Sequence, residues 1–378
     1  MYRDFFEFVG PGTAHLNALV LKLAGARVAA LGVAAVALGA ALGVLVHALA
    51  SAFLPPGWRL LPSAAFLSLA YAPYTFGDHK WPALLLCFAA VALALRAQGT
   101  AGQVGAGALL GLAVLFTQDL GLGCAAGLTA FAYRRQGLRA AAAMVAGLLL
   151  PPLMVMGFFA WKAGLATIAY DWVVFPFTRY RELNRFRLAA SVSARTLPRD
   201  AAQLALAATG VLGALWALRA RADETPPGVR ALSLAGLGAC AATAHRGFYP
   251  AGLAVQSALL APVAVWTLWR RLSAAPWRAR PLAAASAAVL LAGILYGSVG
   301  VAAWRQFLQP LTRERHRAGA VWTPWPMPEL SWIESHTREG EAAFLLPARG
   351  GHYLLTRTRD VTGFPYIIEG QHTEEQAR

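Results

Sequence analysis

Charged residues are scarce in this chain of 378 residues: only 13% are Asp, Glu, Lys or Arg, whereas 58% are hydrophobic. Cysteine is rarer still, and Cys87, Cys124 and Cys240 each sit inside an apolar run. Such positions favour small packed side chains over disulfides, zinc ligands or reactive thiols. The mean hydropathy of +0.51 is typical of multi-span membrane proteins. The composition therefore predicts an integral membrane protein.

The sequence also lacks any Walker-type or Rossmann-type glycine pattern, which argues against a nucleotide-sugar donor and against ATP-driven transport. Acidic residues do not cluster at metal-ligand spacing, so we expect no metal and no cofactor. Residues 1–304 carry 24 Lys and Arg against 9 Asp and Glu, whereas residues 305–378 carry 9 of each. Such basic charge usually lies in cytoplasmic loops or meets anionic head groups and phosphates, so we do not expect nucleic acid as a partner.

About ten apolar segments are able to cross the roughly 30 Å hydrocarbon core of a bilayer. They lie near residues 27–53, 60–75, 81–96, 103–117, 120–133, 138–160, 199–219, 229–245, 249–269 and 281–304. Residues 11–24 begin with a proline and space their apolar positions for one helical face, which favours an interfacial helix. The predicted fold class is an all-α polytopic membrane protein with a small C-terminal extracytoplasmic α+β domain.

Loop charges predict the orientation and the domains. If the amino terminus is outside, the inward turns hold twelve arginines, against five external bases once the seven bases of one long loop are set aside. We then expect an extracytoplasmic first loop with its interfacial helix at 1–26, a transmembrane domain at 27–304 and an extracytoplasmic domain at 305–378. The long external loop would span 162–198. An inverted topology, or a merely solvated basic loop, is the alternative.

The segment after Arg305 alternates charge, turn residues and short apolar runs. Within "EAAFLLPARGGHYLLT", the stretches AAFLL and HYLLT predict strands that flank a Gly-Gly turn. "MPELSWIESHTREGE" predicts a short helix before the first strand, with Gly340 near its end. The closing "HTEEQAR" resembles the start of another helix, so we expect the domain to be truncated there.

An ionisable group at membrane depth costs several kcal/mol unless it is paired or hydrated, so each one is a functional candidate. Asp4 and Glu7 are three residues apart, and on a helical turn both would face one cavity framed by Arg3 and aromatic residues. The alternative is an ordinary acidic juxtamembrane segment. The next external turn, "GDHKW", adds Asp78, His79 and Lys80. For Asp78, helix capping is the competing interpretation.

Two further turns carry polar residues. "FTQDLG" places Gln118 and Asp119 where two apolar segments meet, a bend that would project polar groups into a cavity rather than into lipid. "HRGFYP" joins two spans through a short external turn and brings three side chains to the same face as Asp4: His245, Arg246 and Tyr249. His47, within a helix, is interpreted as a histidine whose hydrogen bonds are satisfied.

The long loop interleaves aromatic and basic residues in "YDWVVFPFTRYRELNRFRLAASVSARTLPRD". Arg179, Tyr180 and Arg181 lie beside Trp172 and neighbouring phenylalanines. Interfacial aromatics grip a lipid chain and guanidinium groups hold phosphate, so the pattern fits a lipid-linked phosphate.

Taken in order, several motifs resemble the bacterial polytopic C-type glycosyltransferases, the superfamily of protein O-mannosyltransferases and of the aminoarabinose transferase of lipid A. They are "YRDFFEFVGPGT", "GLAVLFTQDLGLG", "VVFPFTRYR", "HRGFYPAGLAVQSALLAP" and "FLLPARGGHYLLTRTRDVTGFP". In that family the acidic loop follows a first transmembrane helix, so we expect this chain to lack that span. The family often has Lys before the glutamine, where this chain has Thr117.

The resemblance implies transfer of a sugar from a polyprenyl-phosphate donor to an acceptor hydroxyl, with inversion, at the extracytoplasmic face of a bacterial inner membrane. Asp4 would be the general base, oriented by Glu7 or Asp78. Donor phosphate would be bound by Arg179, Arg181 and Arg246. Substrate would be contacted by Arg3, His79, Lys80, Tyr180, His245 and Tyr249. The acceptor would be a glycan, a lipid or a protein, with membrane lipids as further partners.

Two other classes of function remain open on the sequence. A lipid-phosphate or glycolipid transporter or flippase would use the same basic loop and carboxylates to bind a head group. Transporters commonly show internal repeats, and this sequence has no convincing one. A non-catalytic scaffold is the third class.

Overall fold

A computed structural model describes residues 10–25, 28–71, 79–178, 197–221, 223–243, 250–274, 280–298, 312–323, 326–343 and 355–360. Within these ranges, every secondary-structure element before residue 299 is a helix or a helical turn. Its helices are α1 (Gly12–Ala24), α2 (Val28–Ser51), α3 (Leu61–Ala65), α4 (Lys80–Arg96), α5 (Thr100–Phe116), α6 (Gln118–Gln136), α7 (Leu138–Ala163), α8 (Leu165–Ala169), α9 (Phe175–Phe177), α10 (Leu197–Arg219), α11 (Pro227–Thr243), α12 (Pro250–Ala274) and α13 (Arg280–Ser298). A short 3₁₀ turn spans Pro56–Trp58, and π-helical turns continue α3 over Phe66–Tyr71 and α8 over Tyr170–Val174.

Each of the ten apolar segments predicted from the sequence overlaps one of these helices. Four of them are long and apolar enough to cross a membrane: Ala30–Ser51, Leu138–Ala163, Asp200–Arg219 and Leu253–Ser273. The helix predicted at 11–24 is also present, as α1. The chain is therefore a helical membrane protein.

Burial distinguishes a central helix from peripheral ones. α12 is buried along most of its apolar stretch, whereas only 22% of the apolar stretch of α7 is buried. Many exposed side chains of α7 are large and apolar, among them Leu149, Leu150, Leu153, Met154, Phe158 and Trp161. Exposing so continuous an apolar surface to water is unfavourable, whereas contact with lipid chains is not. α12 therefore forms the axis of the bundle, and α7 faces the membrane.

Glycines let two helix pairs approach until their backbones touch. In α6 and α11, a Cβ on Gly127 would overlap the Leu234 carbonyl, and one on Gly238 would overlap the Gly123 carbonyl. In α5 and α7, a Cβ on Gly107 would overlap the Met144 carbonyl. In a membrane, where helices gain little from the hydrophobic effect on meeting, such close van der Waals packing is a main source of association.

The C-terminal part contains both strands and a helix. Strands β1 (Thr312–His316) and β2 (Gly319–Thr323) form an antiparallel hairpin that sequence analysis missed. The helix predicted around residues 327–341 is confirmed as α14 (Pro328–His336). The Arg317 guanidinium donates hydrogen bonds to the carbonyls of Glu334, Thr337 and Thr356 and so ties the hairpin turn to this helix.

Three sequence predictions were wrong in part. The stretch HYLLT was predicted as a strand, but its described residues, 355 and 356, are helical. Strand β3 (Ala342–Ala343) pairs in parallel with β4 (Arg359–Asp360), not in a hairpin across the Gly-Gly turn. The predicted loop 162–198 is helical over most of 165–177, because apolar residues there pack on α7. His47 behaves as predicted: its ring lies 3.3 Å from the Arg59 carbonyl oxygen and 3.4 Å from Ser51 Oγ.

We predict that Gly127→Ala destabilises the bundle by about 1–3 kcal/mol, because the added methyl group forces α6 and α11 apart. The measurement is thermal unfolding of the purified protein in detergent. Gly32→Ala in α2 is the matched control, because a Cβ there meets no atom within 4 Å. Its stability should be unchanged or higher by up to about 1 kcal/mol, owing to helix propensity. Equal stability of the two variants would contradict the glycine contact.

Candidate functional site

Apart from Lys22 of α1, the described charged side chains of the bundle lie at two opposite ends. One end, here called the acidic rim, carries His79, Lys80, Asp119, Lys162, Asp171 and Asp200. The other end, the basic rim, carries two exposed carboxylates, Asp223 and Glu224, and ten arginines whose side chains are described: Arg59, Arg96, Arg134, Arg135, Arg139, Arg219, Arg221, Arg230, Arg270 and Arg271. On the acidic rim, the described part of the chain has one arginine position, Arg199 in the first turn of α10. The two ends therefore offer different chemistry.

Direct contacts connect neighbouring parts of the acidic rim. The Thr117 hydroxyl, between α5 and α6, donates a hydrogen bond to the His79 carbonyl before α4, at 3.2 Å. Gly10 packs so tightly on Leu115 that a Cβ would overlap its carbonyl group. Because Gly10 follows the stretch that carries Asp4 and Glu7, the contact fixes the rim as the place where that stretch joins the described bundle.

α7, α8 and the π-helical turn after α8 form the neighbouring part of the rim. Leu115, Met156, Phe159 and Ile168 form one buried cluster, and Trp172 packs against it. The His15 ring of α1 meets the Phe159 ring edge-on, with centroids 6.0 Å apart. These contacts bring α1, α5 and α7 together beneath the turn that carries Asp171.

Asp171 is the most perturbed described carboxylate. The residue is only 5% exposed, and within the described chain its carboxylate makes no hydrogen bond or ion pair. Desolvation by this burial raises its pKa from 3.8 to about 6. A buried carboxylate with a pKa near neutrality is a candidate proton acceptor, because its protonation state changes close to the operating pH. π-helical turns such as the one that holds it recur at functional sites.

Apolar surface surrounds this carboxylate. Leu165, Val173 and Val174, on the same short helical stretch, are 73%, 51% and 44% exposed. Trp161 is 75% exposed, and Lys162 Nζ lies 3.9 Å from its ring centroid. An ammonium group beside an exposed aromatic ring suits an amphiphile with an anionic head, because the ring contacts the chain and the cation attracts the head.

Gln118 and Asp119 also lie at this rim, at the start of α6. Both are buried, with exposures of 6% and 3%, so neither side chain faces lipid. Asp119 Oδ1 accepts a hydrogen bond from the Leu120 amide at 2.9 Å. A carboxylate in the first turn also interacts favourably with the helix dipole. For Asp119, stabilisation of the helix start therefore explains the position.

Of the twelve site residues named from the sequence, two are described. His79 and Lys80 lie half-buried at the start of α4 on the acidic rim. The other ten lie outside the described residues: Arg3, Asp4, Glu7, Asp78, Arg179, Tyr180, Arg181, His245, Arg246 and Tyr249.

Asp171 was missed as a site residue, because its stretch was interpreted as an external loop in which a carboxylate would be solvated. The apolar residues that flank Asp171 at helical spacing could have indicated that this stretch is a buried helix.

Neither a protein-family model nor a curated protein matches the chain. No group of three or more potential metal ligands occurs within the described ranges. The chemistry of the acidic rim is therefore argued from its residues.

We predict that Asp171→Asn stabilises the protein at neutral pH and removes one component of its pH dependence. The folded protein holds the Asp171 proton up to about pH 6, whereas the unfolded chain releases it near pH 4. Wild-type stability should therefore fall as pH rises between these values and then level off. Above pH 6 the variant should be more stable by on the order of 1–3 kcal/mol.

Thermal unfolding in detergent between about pH 4 and pH 8 measures the difference between variant and wild type. Asp223→Asn, at an exposed carboxylate of the basic rim, is the control and should give a pH-independent difference. If the difference for Asp171→Asn were also independent of pH, burial would not raise the pKa of Asp171, and the prediction would be wrong.

Proposed function

We propose that the protein is a membrane glycosyltransferase of the extracytoplasmic face. It transfers a sugar from a polyprenyl-phosphate donor to an acceptor hydroxyl at the acidic rim, with ten spans forming the bundle and residues 305–378 an external α+β domain. The observation that carries the proposal is Asp171, a buried carboxylate without a polar partner in the described chain, set beside exposed apolar surface.

Charge supports the orientation of the acidic rim. Arginine and lysine are retained on the cytoplasmic side of membrane proteins, so the end with ten described arginines corresponds to the cytoplasm. The acidic rim then faces the bacterial periplasm or cell exterior, where polyprenyl-linked sugars replace nucleotide sugars as donors. The absence of a nucleotide-binding glycine pattern in the sequence agrees with such a donor.

Apolar surface at the same rim supports a lipid-linked substrate. A polyprenyl chain lies in the membrane, so its phosphate reaches the protein at the lipid interface. Trp161, Leu165 and Val173 present large apolar side chains there, and Lys162 adds a cation. In the proposed complex the chain packs on these side chains, and the phosphate is held by cations that include Arg179, Arg181 and Arg246.

The proposed reaction is a single displacement. A carboxylate takes the proton from the acceptor hydroxyl as its oxygen attacks the anomeric carbon of the sugar. The bond between that carbon and the phosphate oxygen breaks, its electron pair leaves with the polyprenyl phosphate, and the configuration inverts. Guanidinium groups stabilise the charge that develops on the leaving phosphate.

Two carboxylates are candidates for the base. Asp4 is the residue that the family resemblance implies, with Glu7 or Asp78 orienting it. Asp171 is the described carboxylate whose pKa suits the task. Asp4 lies six positions before Gly10, a distance of at most about 22 Å along an extended chain, and Gly10 is packed on Leu115 at this rim.

We predict that Asp4→Asn lowers sugar transfer by about 10²- to 10⁴-fold, the usual contribution of a general base. The assay incubates purified protein in liposomes with a radiolabelled polyprenyl-phosphate sugar and a membrane-lipid or glycan acceptor fraction. Asp171→Asn is tested in parallel, and Asp223→Asn on the basic rim is the control and should transfer at the wild-type rate.

The outcomes separate the candidates. Wild-type transfer by Asp4→Asn together with loss in Asp171→Asn would move the base to Asp171. Wild-type transfer by both would overturn the proposed mechanism. Movement of the intact donor across the liposome membrane without any transfer by the wild-type protein would indicate a transporter instead.

A further inference from the structure

A cavity of about 240 Å³ lies on the basic rim, at the opposite end of the bundle from the proposed active site. It forms where the C-terminal ends of α6 and α10 meet the start of α11. Its polar lining consists of Arg134, Arg135, Thr225 and Arg230, and apolar side chains, among them Phe131 and Leu234, complete the wall. Neither sequence analysis nor the proposed transfer reaction accounts for it.

The arginines of this cavity are held in place without being neutralised. Arg135 donates to the Leu95 carbonyl at 2.9 Å, and Arg230 donates to the Ala220 carbonyl at 2.8 Å. Within the described chain, none of the three cavity arginines lies within 4 Å of a carboxylate, although Asp223 and Glu224 are close in sequence. The cavity therefore concentrates three positive charges with unused donors.

Two buried polar atoms in the lining have no hydrogen-bond partner within the part of the chain that the structure describes. Thr225 is only 2% exposed, yet its Oγ1 has no hydrogen-bond partner there. The buried Nε atom of Arg230 likewise has none. Leaving a buried donor unsatisfied costs about 1–3 kcal/mol, so such atoms usually have a partner. An anion in the cavity would accept hydrogen bonds from both groups, and it would also lie near the positive end of the α11 dipole.

We propose that this cavity binds the phosphate of an anionic membrane phospholipid. The positive charges, the hydroxyl group and the helix start match a phosphate, and Phe131 and Leu234 match the glycerol and the first methylenes. The volume admits a head group but no acyl chains, which would continue along the lipid-facing helices. Basic pockets between transmembrane helices on the cytoplasmic side are a recurrent form of such sites.

The binding test uses purified protein in a neutral detergent, titrated with dioctanoyl phosphatidylglycerol, with dioctanoyl phosphatidylcholine as the zwitterionic comparison. Affinity is measured by thermal shift and by native mass spectrometry of the bound lipid. The double variant Arg134→Gln/Arg230→Gln should bind phosphatidylglycerol at least about tenfold more weakly, as expected for the loss of two charged hydrogen-bond donors.

The matched control is Arg96→Gln/Arg139→Gln, which removes the same charge from exposed positions of the same rim outside the cavity. It should retain wild-type affinity. Thr225→Val keeps both the charge and the shape of the wall, so its several-fold loss of affinity tests the hydroxyl group even if the arginine variant folds poorly.

Three results would overturn the proposal. Equal loss in the control would reduce the effect to non-specific charge attraction. Equal affinity for phosphatidylcholine would remove the need for an anionic lipid. Binding of glycerol 3-phosphate as tight as that of the lipid would identify a soluble phosphate compound as the ligand. None of these measurements involves sugar transfer, so they test the lipid site independently of the proposed function.

Discussion

Backbone contact between helices at glycine is the constraint on which the remaining architecture depends. Gly107 brings α5 against α7, and Gly127 brings α6 against α11. Only Thr117 separates α5 from α6, so the two close pairs share one end of the bundle. At that end Thr117 bonds to the chain before α4, and α5 contacts Gly10. The acidic rim is therefore a consequence of helix packing in the membrane, and its side chains are positioned by rigid elements.

The distribution of charged side chains distinguishes the two ends of the bundle. Ionisable side chains are costly in hydrocarbon, so they gather where helices end. In the described bundle this produces two unlike rims, one with most of the carboxylates and the other with ten arginines. The proposed division of work follows from this difference: proton transfer requires a carboxylate at the first rim, and an anionic lipid requires unpaired arginines at the second. The same asymmetry supports the proposed orientation of the chain in the bilayer.

Hydropathy predicted the helices well, because a span must be apolar over its whole length whatever its neighbours are. The predicted segment 229–245, for example, corresponds to α11 at Pro227–Thr243. Functional sites were harder to predict from the sequence, because each is assembled from separate parts of the chain. The basic cavity joins Arg134 to Thr225, which no spacing rule connects. The partner of strand β3 was predicted wrongly for a related reason. Strand partners depend on long-range contacts, which a turn motif does not reveal.

Asp171 and Thr225 illustrate how cost can indicate function. A buried carboxylate without a partner in the described chain raises its own pKa, and the folded state loses stability through it at neutral pH. An asparagine or an apolar residue of similar size would fill the same space beneath the rim with less electrostatic cost. Thr225 poses the same problem with a neutral group, because valine would fill its position without an unsatisfied oxygen. Packing alone therefore explains neither residue. A ligand that gives up a proton to the carboxylate at one rim, or that accepts a hydrogen bond at the other rim, would explain them.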